Sequence, residues 1–80
     1  MSSVHEDLSA LSKATLSLLK AHNRIIATAR LAKVDKATLT GLKNQRTSVD
    51  KLLSKTKVGL KNPNLTLELY LELKSEFLRF

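Results

Sequence analysis

A heptad running from Leu8 to Ala32 constrains this chain more than any other feature. One row is Leu8, Thr15, His22 and Ala29; the other is Leu11, Leu18, Ile25 and Ala32. Apolar positions three and four apart mark a helix packed along other helices. Continued further, the same rows fall on Lys36, Leu39, Lys43 and Arg46, so the seam ends after Ala32. A turn near Val34–Asp35 accounts for the break, with Asp35 as N-cap of the next helix. The spacing predicts helix one over 4–33 and helix two over 36–57. His22–Asn23 is a competing turn position, because Asn tolerates caps and left-handed conformations. The unbroken heptad argues against it.

Helix two carries its own stripe, Leu39, Leu42, Val49, Leu53 and Leu60, which fall within a narrow arc of a helical wheel. Gly41 interrupts it and reads first as a point of close helix packing, second as a hinge. Gly59, followed by Asn62-Pro63-Asn64, is expected to stop the helix. The tail LTLELYLELK alternates leucine strictly with other residues, which by period alone is a strand. Its Leu, Glu and Lys nevertheless favour helix, and no second strand exists to pair with it. Helix three is therefore expected over 65–78, with Asn64 as N-cap. A helix apolar on two sides must be buried on two sides, which implies a partner subunit.

An 80-residue chain is one domain, 1–80, and a domain this small needs a staple. Cysteine is absent, so disulfides and thiolate metal sites are excluded, and His5 and His22 are too few for a closed zinc site. Oligomerisation is the staple that remains. No stretch approaches the ~20 apolar residues of a membrane span. MSSVHEDLSA lacks the features of a signal peptide, so a cytoplasmic location is expected.

Catalysis has little to work with. There is no cysteine nucleophile and no Gly-rich phosphate loop, and HEDL at 5–8 is not a metal motif because Ser9 stands where the second ligand would. His22 lies on the apolar seam and reads as a core or interface histidine. Glu68, Glu72 and Glu76 repeat every four residues and read as a solvated face. The chain is not expected to be an enzyme or to hold a cofactor or metal.

The charge is more informative. Residues 1–12 carry −2; residues 13–61 hold twelve Lys or Arg against Asp35 and Asp50, a net +10; residues 62–80 carry −1. A solvated helix back normally interleaves acids with its lysines at i, i+4. This one does not, and the self-repulsion that results is relieved by binding an anion. On helix one, Lys13, Lys20 and Arg24 lie opposite the leucines. On helix two, Lys36, Lys43, Lys51 and Lys55 lie opposite the stripe, with Arg46 flanking it. These eight are the candidate nucleic-acid-binding residues, and an antiparallel hairpin would leave both stripes outside as one charged surface.

The kind of anion follows from what is missing. The central region has no aromatic residue, against interfacial membrane binding and against stacking on single strands. Asn44-Gln45-Arg46 could read bases, but no helix-turn-helix frames it. What remains is tracking of a duplex backbone by cations and hydroxyls, the way double-stranded RNA is recognised.

The stretch QRTSVDKLLSKTKV, residues 45–58, resembles the end of the second helix in the nodavirus RNA-silencing suppressors, through Leu52-Leu53, Lys55 and Val58. The resemblance implies a small helical-hairpin dimer, a four-helix bundle lying along double-stranded RNA without sequence preference. It implies that Lys55 matches an RNA-contacting lysine. The family's arginine falls on Thr47, with Arg46 one step away, and the family's turn would fall near Asn23 rather than Asp35.

The expected protein is all-α: an antiparallel helical hairpin plus a shorter third helix, dimerising into a four-helix-type bundle. Leu8, Leu11, Leu18, Ile25, Leu69 and Leu73 are the expected dimer interface. The expected function is sequence-independent binding of double-stranded RNA, shielding it from processing enzymes. The competing reading is a small interaction module, viral, phage or plasmid-type, that docks an acidic protein.

Overall fold

Three side-chain caps divide the chain. Ser3 Oγ accepts from the Glu6 amide and opens α1, Val4–Leu31. Asp35 accepts from the Thr38 amide at 3.3 Å and opens α2, Lys36–Lys61. Thr66 Oγ1 accepts from the Leu69 amide at 3.2 Å and opens α3, Leu67–Leu78. Each satisfies an amide that the first turn of a helix leaves without an intrahelical partner. The structure, a computed structural model, describes residues 3–80, and among these there is no strand; Met1 and Ser2 lie outside the described residues.

The architecture is the expected all-α hairpin with a shorter third helix, and its turn is at Val34–Asp35. α1 runs unbroken through His22–Asn23. It ends two residues earlier than expected, because Lys33 adopts a left-handed φ of 55° and the Val34 amide bonds back to the Ala29 carbonyl at 3.2 Å. That closing loop is a helix stop usually built on glycine. α2 runs four residues further than expected. Gly59 does not stop it but lies buried inside it, so close to Leu8 that an added Cβ would come within 2.8 Å of a Leu8 methyl. Close packing is therefore found at Gly59, whereas Gly41 has open space where a side chain would be. α3 begins after Thr66 rather than Asn64, because it is the Thr66 hydroxyl that accepts from a first-turn amide, that of Leu69.

α1 and α2 pack antiparallel along their length, in a molecule of 47 × 18 × 17 Å. The contacts His5–Asn62, Ser12–Thr56 and Asn23–Arg46 set the register. Leu8, Leu11, Leu52 and Leu73 form the core where α3 folds back over the hairpin, with Leu65, Leu69, Tyr70 and Phe77 around them. Thr15, Val49, Ile26 and Ala29 continue the buried line along the hairpin. Each such leucine, isoleucine or valine contributes about 1.5–3 kcal/mol through burial. The two fully buried threonines are satisfied locally: Thr15 donates to the Leu11 carbonyl and Thr56 to the Leu53 carbonyl, both at 2.7 Å.

Leu8, Leu11 and Leu73, expected at a dimer interface, are consumed by this core within the single chain. Leu18 and Leu69 are half-buried and Ile25 is 47% exposed. α3 is apolar on two sides: Leu69, Leu73 and Phe77 face the hairpin, while Leu67, Leu71 and Leu78 are 55%, 50% and 70% exposed.

Candidate nucleic-acid interface

α3 lies over one broad side of the hairpin and thereby makes its two sides unlike. Its side of α2 is marked by Lys55, whose Nζ donates to Glu76 of α3 at 2.9 Å, and by Ser48 and Lys51, which border a pocket with Phe80. A groove of about 760 Å³ runs between α2 and α3, lined by Lys55, Val58, Leu69, Glu72, Glu76 and Arg79. The opposite side is marked by a shallow pocket that joins Leu19 and Asn23 of α1 to Arg46, Thr47 and Asp50 of α2. There the Arg46 guanidinium donates to Asn23 Oδ1 at 3.5 Å.

Helical period extends that marking to the remaining cations. At ~100° per residue, positions seven apart stay nearly aligned. Lys36, Lys43, Asp50 and Lys57 are one such row, and Lys61 continues it. The row lies on the side away from α3, because Asp50 does. On α1, Lys20 is three residues before Asn23, and Lys13 and Arg24 fall within about 40° of Lys20, so the three edge the same side. All of these lysines are exposed except Lys43, which with Arg46 is half-buried. The result is a face edged by Lys13, Lys20 and Arg24, centred on Arg46, and lined by Lys36, Lys43, Lys57 and Lys61, with Asp50 as the one acid of its row. From Lys36 to Lys61 it runs about 38 Å at ~1.5 Å per residue.

Of the eight expected cations, six thus share this face: Lys13, Lys20, Arg24, Lys36, Lys43 and Arg46. Lys51 and Lys55 lie on the α3 side, and Lys55 is held by Glu76 in the one ion pair among the described residues. The charged surface is therefore narrower in membership than expected, and it gains Lys57 and Lys61. Those two were readable from the sequence: Lys57 is two heptads beyond Lys43, with Asp50 between them.

A hydroxyl stands among the cations: Thr47 is exposed between Lys43 and Asp50, whereas Ser54 lines the groove on the α3 side. Thr47 donates to the Lys43 carbonyl at 3.0 Å, which leaves its oxygen free to accept. Asn44 and Gln45, the amides suited to reading base edges, follow Lys43 by one and two residues. They therefore turn about 100° and 200° away from the row. The charge at the hairpin turn is neutralised only locally. Asp35 caps α2 there, and hydrogen bonds from the Thr38 hydroxyl and amide hold its carboxyl below the usual aspartate range. No helix among the described residues is long and apolar enough to cross a membrane. No family model matches the chain, and no characterised protein or solved structure is significantly similar to it.

Proposed function

We propose that this protein binds double-stranded RNA without sequence preference, laying the lysine face of the α1–α2 hairpin along the phosphate backbone. The observation that carries the reading is the concentration of Lys13, Lys20, Arg24, Lys36, Lys43, Arg46, Lys57 and Lys61 on one side of the molecule, against Asp50 alone in the α2 row. Lysines spaced by whole heptads along straight helices suit a regular array of phosphates. Thr47 offers an acceptor to ribose 2′-hydroxyls, the group that separates RNA from DNA. Base-edge readers are turned away from the face, so affinity without sequence specificity follows. Bound protein would cover the duplex and hinder enzymes that must reach it. The proposal includes self-association of the chain in the cytoplasm, through a surface other than this one.

Charge removal on the two sides tests the assignment. Lys20→Ala and Lys43→Ala are each expected to weaken binding equally for unrelated duplex sequences. Each lost phosphate contact should reduce the log–log salt slope by about 0.9. Lys51→Ala, on the α3 side, should leave both quantities unchanged. Equal losses from all three substitutions would show that the cations act as diffuse charge rather than as a face.

A further inference from the structure

Lys55, Glu76 and Arg79 border two openings at once. On one side of them lies the groove of about 760 Å³ between α2 and α3; on the other lies a pocket of about 320 Å³ that Ser48, Lys51, Leu52 and Phe80 complete. The two are lobes of one cleft, joined at these three side chains. Their chemistry differs. Beyond the shared three, the groove takes its apolar surface from Val58, Gly59, Leu69 and Leu73, and Glu72 is its only other charged residue. In the pocket, Lys51, Lys55 and Arg79 stand against Glu76 alone, a net +2, over Leu52 and Phe80. A largely apolar groove of this size with charged groups gathered at one end is the usual form of a small-ligand site.

The fold leaves both lobes uncompensated. Among the described residues, Glu76 pairs with Lys55 at 2.9 Å, and no acid pairs with Lys51 or Arg79. Lys51 and Lys55 stand one turn apart on α2, a like-charge spacing that costs helix stability, and Arg79 adds a third cation from α3. An anion placed among them relieves that repulsion. At the edge of the other lobe Val58 is 70% exposed, apolar surface that the fold does not cover. A ligand that suits the whole cleft is divided as the cleft is, apolar at one end and anionic at the other.

We propose that this cleft binds a single-chain anionic amphiphile, an alkyl phosphate or fatty-acid anion, with its chain in the groove between α2 and α3 and its head group at Lys51 and Arg79. Size and backbone chemistry select a chain over a peptide. The groove follows α3 from Leu69 to Arg79, about 15 Å at ~1.5 Å per residue. A peptide helix ~10 Å across needs roughly 1,200 Å³ over that length, more than the groove holds. An extended peptide needs main-chain partners, and both walls are helices whose amides and carbonyls are already bonded within them. An acyl chain needs neither the width nor the partners. The cleft lies on the α3 side, away from the lysine face, so the amphiphile and a duplex do not compete for the same cations.

The test uses the full chain without nucleic acid, so its outcome is independent of the RNA reading. Decyl phosphate, octyl phosphate and decyltrimethylammonium are titrated below their micelle concentrations, beside an acidic amphipathic peptide, by calorimetry and amide NMR. Decyl phosphate is expected to saturate one site, with shifted amides gathered over residues 48–62 and 69–80. Octyl phosphate should bind more weakly, by up to about fourfold for each buried methylene lost. The ammonium amphiphile should bind roughly tenfold more weakly or worse, because it offers the cations no acceptor. Lys51→Glu and Arg79→Glu at the head group and Val58→Glu at the groove edge should each weaken decyl phosphate by a similar factor, roughly tenfold. Lys20→Glu, on the lysine face, should leave it unchanged. All four side chains are exposed, so the substitutions leave the core intact, which circular dichroism checks. Absence of saturable binding would overturn the proposal, as would equal affinity for the two head-group charges or an equal loss from Lys20→Glu. A peptide that shifts the same amides at lower concentration than decyl phosphate would assign the cleft to a protein and overturn it as well.

Discussion

The two glycines of this chain show what a single residue decides. At Gly59 the Leu8 side chain of α1 presses on the α2 backbone, and its methyl leaves no space for a Cβ. Gly59→Ala forces Leu8 or the helix axis to shift and is expected to cost about 1–3 kcal/mol, read as a lower Tm. An unchanged Tm would mean that the contact relaxes freely. Lys33 is the opposite case: a non-glycine residue held at a φ of 55° to end α1. Lys33→Gly removes that strain, and a gain of up to about 1 kcal/mol is expected in a denaturant titration. A loss would show that the lysine side chain contributes more than its backbone costs. His22 is half-buried on the core-facing row, with Nδ1 buried and unpartnered in this structure. It reads as the packing histidine foreseen from the heptad. His22→Leu should raise Tm, because an unsatisfied polar atom is replaced by an apolar one.

At the scale of elements, the sequence was legible wherever period alone decides. Leu8, Thr15 and Ala29 of the first heptad row are buried, and His22 sits between them. The second row was read too far. A straight α-helix drifts about 20° per heptad, so a row that starts buried at Leu11 reaches the surface by Ile25, and Ile26 takes over the core position. The end of α2 was misread because glycine in a helix has two uses, and the chain does not say which until Leu8 is brought against Gly59. The start of α3 lies two residues beyond the expected one because Thr66 can cap a helix as Asn64 can, and only the fold shows that the Thr66 hydroxyl meets the Leu69 amide. Thr66→Ala is accordingly expected to cost about 1 kcal/mol and to loosen α3, seen as faster amide exchange over 67–72. The same substitution at Asn64 should have a smaller effect. At the start of α2, hydrogen bonds from Thr38 lower the folded-state pKa of Asp35. Its contribution is therefore fully present above the ordinary aspartate pKa of about 4 and is lost as pH falls through the lowered folded value. Helix content near residues 36–40 should fray in that acid window, and Asp35→Asn should shift or abolish the transition.

The whole molecule divides its labour between two broad sides, and that division was only half readable. The excess of cations over acids is plain in the composition, and so is the surplus of leucine in the tail. Which lysines share a side is not, because it depends on where α3 lies. Lys55 looked like a free cation until Glu76, 21 residues later in the chain, came within 2.9 Å of it. A one-sided array of lysines also has a thermodynamic cost that salt can reveal. Screening relieves repulsion within the face, so Tm of the free protein should rise with added sodium chloride, while binding to a polyanion should fall over the same range. Opposite signs in the two titrations mark a charged face built for a partner; a flat Tm would mean that the lysines are already compensated.

Fluorescence anisotropy over a salt series, with one duplex length presented as RNA and as DNA beside single-stranded RNA, tests the central claim most directly. Several phosphates neutralised by one lysine face should give a log–log slope of several negative units, about −0.9 for each on B-form DNA and comparable on RNA duplexes. The account predicts that slope together with tightest binding to duplex RNA and weakest to the single strand, which the aromatic-free helices cannot stack upon. Absence of binding to duplex RNA at ~50 mM salt, where electrostatic association is strongest, would contradict it. That result would assign the lysine face to an acidic protein instead.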